Sequence, residues 1–187
     1  MLSNFRLRIL NREAASPKNK PDEIINLLNI SDGDIMGDIG AGGGYFTYQF
    51  SRKVGKNGKV YSIDTNRKSL DFIEYNLKDS GIKNIKTILG NEHSVPLPER
   101  VDMFFMRNVF HHLSLPDVYL KNIRQLLKKN GKLVIIDHQK EGFSLASFID
   151  HFIPEETIIK IVEKAGFCMV EKYDFVPKHV FLVFEMK

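Results

Sequence analysis

The chain contains a single cysteine, Cys168, which excludes an internal disulfide and any multi-cysteine metal site. It lies in the run Phe167-Cys168-Met169-Val170, which reads as a buried strand, so a small core residue is the expected role. No apolar run approaches the ~20 residues needed to cross a bilayer, so no membrane partner is expected. The opening stretch MLSNFRLRIL lacks a long apolar segment followed by a small-residue cleavage site. A secretory signal is therefore not expected, and the expected setting is the cytoplasm. Internal repeats and low-complexity tracts are also absent.

What remains is an ordinary globular composition, with 43% apolar residues in 187, enough to bury a core without covalent staples. The net charge of +4 is unevenly placed. Residues 1–20 hold Arg6, Arg8, Arg12, Lys18 and Lys20 against Glu13 alone, and the remainder is balanced. Such an excess attracts anionic substrates, nucleic acid or membrane surfaces. One terminal cluster is a weak sign of nucleic-acid binding, so a solvated, partly mobile terminus is expected. Residues 1–20 are thus read as a basic arm and 21–187 as one domain.

Beyond the arm, strand-like runs alternate with helical patterns, which predicts βαβ units and a largely parallel sheet. Strands are predicted at 34–39, 59–64, 85–89, 101–106, 132–137, 168–175 and 180–186. Helices are predicted at 21–29, 44–54, 66–80, from about Ser114 to about Lys129, and at 154–165. The last helix carries Ile158, Ile161, Val162 and Ala165 at helical spacing. The short link between the last two strands implies an antiparallel pair.

The first strand runs into Asp38-Ile39-Gly40-Ala41-Gly42-Gly43-Gly44 and then a helix. Glycines allow a sharp turn and close approach of a ligand to the backbone. The helix start offers unpaired N–H groups to a carboxylate or phosphate. Asp64 follows at the end of the second strand, where an acid accepts hydrogen bonds from both hydroxyls of a ribose. Dinucleotide enzymes want a third glycine or small residue at the position held by Tyr45, which disfavours a nicotinamide cofactor. The spacing Asp-x-Gly-x-Gly-x-Gly is satisfied instead.

With these features the sequence resembles the class I S-adenosylmethionine-dependent methyltransferases over about 21–187. Further segments carry the resemblance: Gly90-Asn91-Glu92 with Val95-Pro96-Leu97-Pro98, Val101-Asp102-Met103 through Asn108-Val109-Phe110-His111-His112-Leu113, and Leu126 through Asp137. The resemblance implies an α/β, Rossmann-like fold: a seven-stranded, mostly parallel sheet, helices on both faces and a C-terminal antiparallel hairpin. It implies S-adenosyl-L-methionine as cofactor. Asp38 and the backbone of Gly40, Ala41 and Gly42 then hold its methionine part, with Tyr45 opening the following helix. Asp64 takes the ribose, Thr65 lies beside the adenine, and Asn91 and Glu92 border the adenine edge. Arg107 and Asn108 line the floor near the amino-acid end. Asn91 stands where aspartate is common, and its amide oxygen is expected to meet the adenine amino group. Gly37 stands where a larger apolar residue is usual, which predicts looser packing there.

His111 and His138 follow the fourth and fifth strands, where ligands bind in open α/β sheets. They are the candidate catalytic residues, to orient the acceptor or take a proton. An adjacent pair that merely starts a helix is the competing reading of His111 and His112. The histidines match no zinc spacing, so no metal is expected. Candidate acceptor walls are Phe5 and Arg8, Tyr45, and the segment 138–153 with Phe143, Phe148 and Phe152; His151, in the connection after the fifth strand, is a lesser candidate for the histidine role. The expected acceptor is a small molecule. An RNA or protein methyltransferase using the basic arm, and a non-catalytic cofactor-binding module, remain alternatives. An arsenite-type enzyme is disfavoured by the lone cysteine.

Overall fold

On the strand Val101–Arg107, Met103 and Phe105 face one side while Phe104 and Met106 face the other, and all four are buried. A strand apolar on both faces requires cover on both. A computed structural model, which describes residues 4–139 and 152–187, shows that cover. In chain order the elements are α1 (Asn4–Ala14), α2 (Pro21–Leu27), β1 (Ile35–Ile39), α3 (Tyr45–Val54), β2 (Lys59–Asp64), α4 (Arg67–Leu77), β3 (Ile85–Leu89), β4 (Val101–Arg107), α5 (Pro116–Gln125), β5 (Leu127–His138), α6 (Glu155–Lys164), β6 (Phe167–Tyr173) and β7 (His179–Met186). One core packs Ile24, Phe46, Phe50 and Ile73, from α2, α3 and α4, onto Met103, Phe105, Val134 and Ile136. The other packs Leu120, Ile123, Ile158 and Val162, from α5 and α6, onto Phe104, Met106, Leu133 and Ile135.

The sheet order is β3-β2-β1-β4-β5-β7-β6. Strands β1 to β5 are parallel, and β7 pairs antiparallel with both β5 and β6. This is the predicted Rossmann-like architecture. Strand order reverses between β1 and β4, and at such a point the loops diverge and leave a crevice at the C-terminal strand ends.

Three local expectations fail. The first 20 residues are not simply a solvated arm: 4–14 are helical, and Leu7 and Ala14, two turns apart, are buried against the body. Helix α5 stops at Gln125 rather than near Lys129, because Val101 N–H captures the Leu126 carbonyl (2.8 Å) and Leu127 already pairs with Val101. The ladder then resumes at Lys132, the predicted strand start. Finally, packing at Gly37 is tight. A Cβ there would lie 2.5 Å from the ring of Phe104, which fills the space from the neighbouring strand. Gly37→Ala is therefore expected to destabilise the fold by about 1–3 kcal/mol through overpacking, seen as a lower urea midpoint at unchanged slope.

Candidate active site

The turn after β1 is pinned by backbone bonds. The N–H groups of Gly40 and Ala41 both donate to the Ile63 carbonyl at the end of β2 (2.8 and 3.1 Å). Gly40 has φ +70°, and a Cβ there would strike Val109 at 2.2 Å, so packing alone demands glycine. Gly42, at φ +54°, differs: the nearest atom to a Cβ would be Leu10 Cδ1 at 3.7 Å. Here the absence of a side chain leaves room rather than avoiding a clash. Helix α1 closes over this loop. The Asn11 side-chain amide donates to the Gly43 carbonyl (2.8 Å), and its oxygen accepts from Tyr45 N–H (3.2 Å).

Two carboxylates stand at strand ends beside the loop. Asp64 accepts from Gly42 N–H (3.0 Å) and Asn66 N–H (2.8 Å) on separate oxygens. Each carboxylate oxygen has two acceptor positions, so both keep one for another partner. Asp38 is buried and accepts a 2.5 Å bond from the Thr47 hydroxyl. Burial pushes its pKa up to about 7, with the Asp64 charge adding and the Thr47 bond opposing.

Opposite them, at the end of β4, the Arg107 guanidinium lies over the Phe46 ring, 5.7 Å from its centroid. Its Nε and Nη2 are buried, and among the described residues they have no hydrogen-bond partner. Burial pulls its pKa below the ordinary value, against the opposing charges of Glu13 and Tyr45. Asn108 holds φ +56°, a left-handed conformation that asparagine tolerates better than most residues, and its buried Oδ1 also lacks a partner. Buried polar atoms without partners in a native fold call for an explanation, and a ligand supplies one.

These groups border a cavity of about 460 Å³. Every residue predicted to hold the cofactor borders it: Asp38, Gly40, Ala41, Gly42, Tyr45, Asp64, Thr65, Asn91, Glu92, Arg107 and Asn108. One predicted contact is corrected. The Asn91 side-chain oxygen accepts from His93 N–H (2.8 Å), Ser94 N–H (2.9 Å) and the Ser94 hydroxyl (3.2 Å), so it folds its own loop. Its amide nitrogen is the group left for an adenine edge. The expected walls shift too: Arg6, Leu10, Asn11 and Glu13 of α1 border the cavity, whereas Phe5, Arg8 and Phe152 do not. Phe143, Phe148 and His151 lie outside the described residues.

The predicted catalytic histidines stand behind the cavity rim. His112 borders it, while His111 and His138 do not. The His111 ring stacks behind that of His112, centroids 4.0 Å apart, with His138 5.8 Å further on. Sequence reasoning missed what holds them. Asp137, buried at the end of β5, meets His111 Nδ1 at 2.6 Å and accepts from the backbone N–H of His111 (3.1 Å) and His138 (2.7 Å). Burial alone would raise Asp137, yet these bonds hold it below the usual carboxylate range. The signal was present: Asp137 ends the strand predicted at 132–137 as Asp64 ends the one at 59–64. His179, also missed, stacks on His138 at 4.6 Å. Burial lowers the pKa of both rings, which favours their neutral forms.

A family model described as a methyltransferase domain matches residues 30–175. The chain belongs to the methyltransferase-domain family. A SAM-dependent methyltransferase from Aquifex aeolicus superposes with a TM-score of 0.86 at 27% identity, covering 100% of this chain and 99% of that one. The ubiquinone/menaquinone biosynthesis C-methyltransferase UbiE of Pseudomonas paraeruginosa is 30% identical over 129 residues, 66% of this chain and 49% of its own. A protein-L-isoaspartate O-methyltransferase of Methanococcoides burtonii is 31% identical over 112 residues, 59% of this chain and 52% of its own. The chain thus spans about half the length of these curated relatives. The Aquifex aeolicus structure is described as SAM-dependent, and the residues of the site here fit that cofactor: an open glycine, two strand-end carboxylates and a buried guanidinium with free donors.

Proposed function

We propose that this methyltransferase transfers the methyl group to a small-molecule acceptor in the cytoplasm. The observation that carries the reading is the cavity of about 460 Å³ that Asp38, Asp64 and Arg107 share. It is roofed by a helix of the same chain, which suits a small acceptor better than a polymer. Asp64 binds the ribose hydroxyls through its two remaining acceptor positions. Thr65, Glu92 and the Asn91 amide nitrogen frame the adenine. Asp38 takes the ammonium of the methionine part, whose carboxylate meets the free donors of Arg107 beside Asn108.

When bound, the cofactor supplies a methyl group on a sulfonium, already a good leaving group. The protein then has to align the acceptor and exclude water. Tyr45 and the α1 side chains wall the cavity for that purpose. His111, fixed by Asp137 through Nδ1, keeps Nε2 as its proton-accepting position. Since His112 stands between it and the cavity, the proton would reach it past that ring; His138 is the second candidate.

The test is transfer of labelled methyl to fractionated metabolites. Label is expected in a small-molecule fraction; cofactor binding with no labelled fraction would show a non-catalytic module, and label in RNA or protein would overturn the acceptor class. With the acceptor in hand, His111→Ala is expected to lower turnover about a hundredfold or more at unchanged cofactor affinity. Intact turnover in both His111→Ala and His138→Ala would remove proton transfer from the mechanism.

A further inference from the structure

We propose that the outer face of α1 is a peripheral docking surface for an anionic lipid bilayer. The helix has three sides. Leu7 and Ala14 are buried and mark its inner face. Arg6, Leu10 and Glu13 turn toward the cavity. At 100° per residue, Phe5 and Ile9 lie opposite Leu7 and Ala14, with Arg8 and Arg12 beside them. Phe5 is 71% exposed and Ile9 44%, and both arginines are exposed.

Glu13, the single acid of the first twenty residues, borders the cavity and lies one turn from Ile9, so the outer face carries Phe5, Ile9, Arg8 and Arg12 with one carboxylate at its edge. An apolar strip flanked by arginines is the pattern of a helix lying in a membrane interface: rings and aliphatic chains enter the acyl boundary while guanidinium groups meet lipid phosphates. A nucleic-acid surface would use the arginines but leave Ile9 idle. Charge complementarity points the same way, because α1 carries Arg6, Arg8 and Arg12 against Glu13 alone.

The surroundings agree. Exposed Leu10 borders the cavity, and exposed Leu115 and Leu89 adjoin Ser114 and Gly90, which also border it. No described helix is long and apolar enough to cross a membrane, so the attachment proposed through Phe5 and Ile9 is peripheral.

The test is cosedimentation of the full chain with vesicles of phosphatidylcholine alone or mixed with phosphatidylglycerol. Binding is expected only to the mixed vesicles and is expected to weaken with salt. Arg8→Gln and Arg12→Gln should each reduce the partition coefficient about fivefold. Phe5→Ser with Ile9→Ser should reduce it tenfold or more, with S-adenosylmethionine affinity unchanged as the check on folding. No binding to mixed vesicles, equal binding to both compositions, or variants that bind like the parent chain would overturn the proposal. So would a solution dimer that the Phe5/Ile9 variant dissociates, since a second copy would then be the occupant.

Discussion

Asp64→Ala is expected to weaken S-adenosylmethionine binding about a hundredfold or more, measured by titration calorimetry. Hydrogen bonds to a charged group contribute roughly 1.5–3 kcal/mol each, and the proposed ribose contact has two. The substitution also frees Gly42 N–H and Asn66 N–H, so the loop that approaches the cofactor keeps its backbone ties to Ile63 but loses its side-chain tie to the end of β2. Asp64→Asn separates these effects. It keeps one acceptor oxygen and no charge, and a loss of about tenfold is expected. An affinity unchanged in both variants would remove Asp64 from the ribose site.

Asp38→Asn is expected to have opposite effects on stability and binding. The carboxyl is buried, and its pKa is raised from 3.8 to about 7 without ligand. A raised carboxylate means that the folded state disfavours the charge. Stability from the protonated form is fully present below about pH 4 and is lost as pH rises toward 7. The asparagine variant has no charge to bury. Its melting temperature without cofactor should match the parent near pH 4 and exceed it by on the order of 5 °C above pH 7. Cofactor affinity should fall at least tenfold, because the proposed ammonium partner is gone. In the parent chain, binding near pH 6 should release a proton as the ammonium draws Asp38 into its charged form. Calorimetry in buffers of different ionisation enthalpy reads that proton directly. Equal melting curves at all pH values would contradict the burial argument.

The sheet was legible because its strands are bounded by glycine turns and filled with apolar residues on both faces, as at Val101–Met106 and Leu133–Ile136. The residues that line the cavity were legible because a backbone that must turn closely leaves glycines, and because Asp64 sits where a strand ends. Helix α1 was not legible: with only Leu7 and Ala14 buried it shows no apolar stripe, and its docking rests on Asn11, a residue equally at home in solvent. The early stop of α5 was hidden because Leu126 and Leu127 suit a helix and a sheet edge alike. Gly37 was misread because the tight fit depends on Phe104, a residue 67 positions away that only the strand pairing brings near. The histidine supports were missed for the same reason: Asp137 meets His111 across two strand ends.

Strand β7 comes last in the sequence, yet it lies between β5 and β6 rather than at the margin of the sheet. On the ribosome, β5 is finished long before its neighbour exists. Its open flank carries Leu133 to Ile136, an uninterrupted apolar stretch of the kind that recruits foreign strands. β6 cannot occupy its final position early either, because it reaches the sheet only through β7. The nascent polypeptide must therefore hold a five-stranded parallel sheet with one unsatisfied margin until β7 emerges, and that interval is when the sheet is most exposed to misassembly.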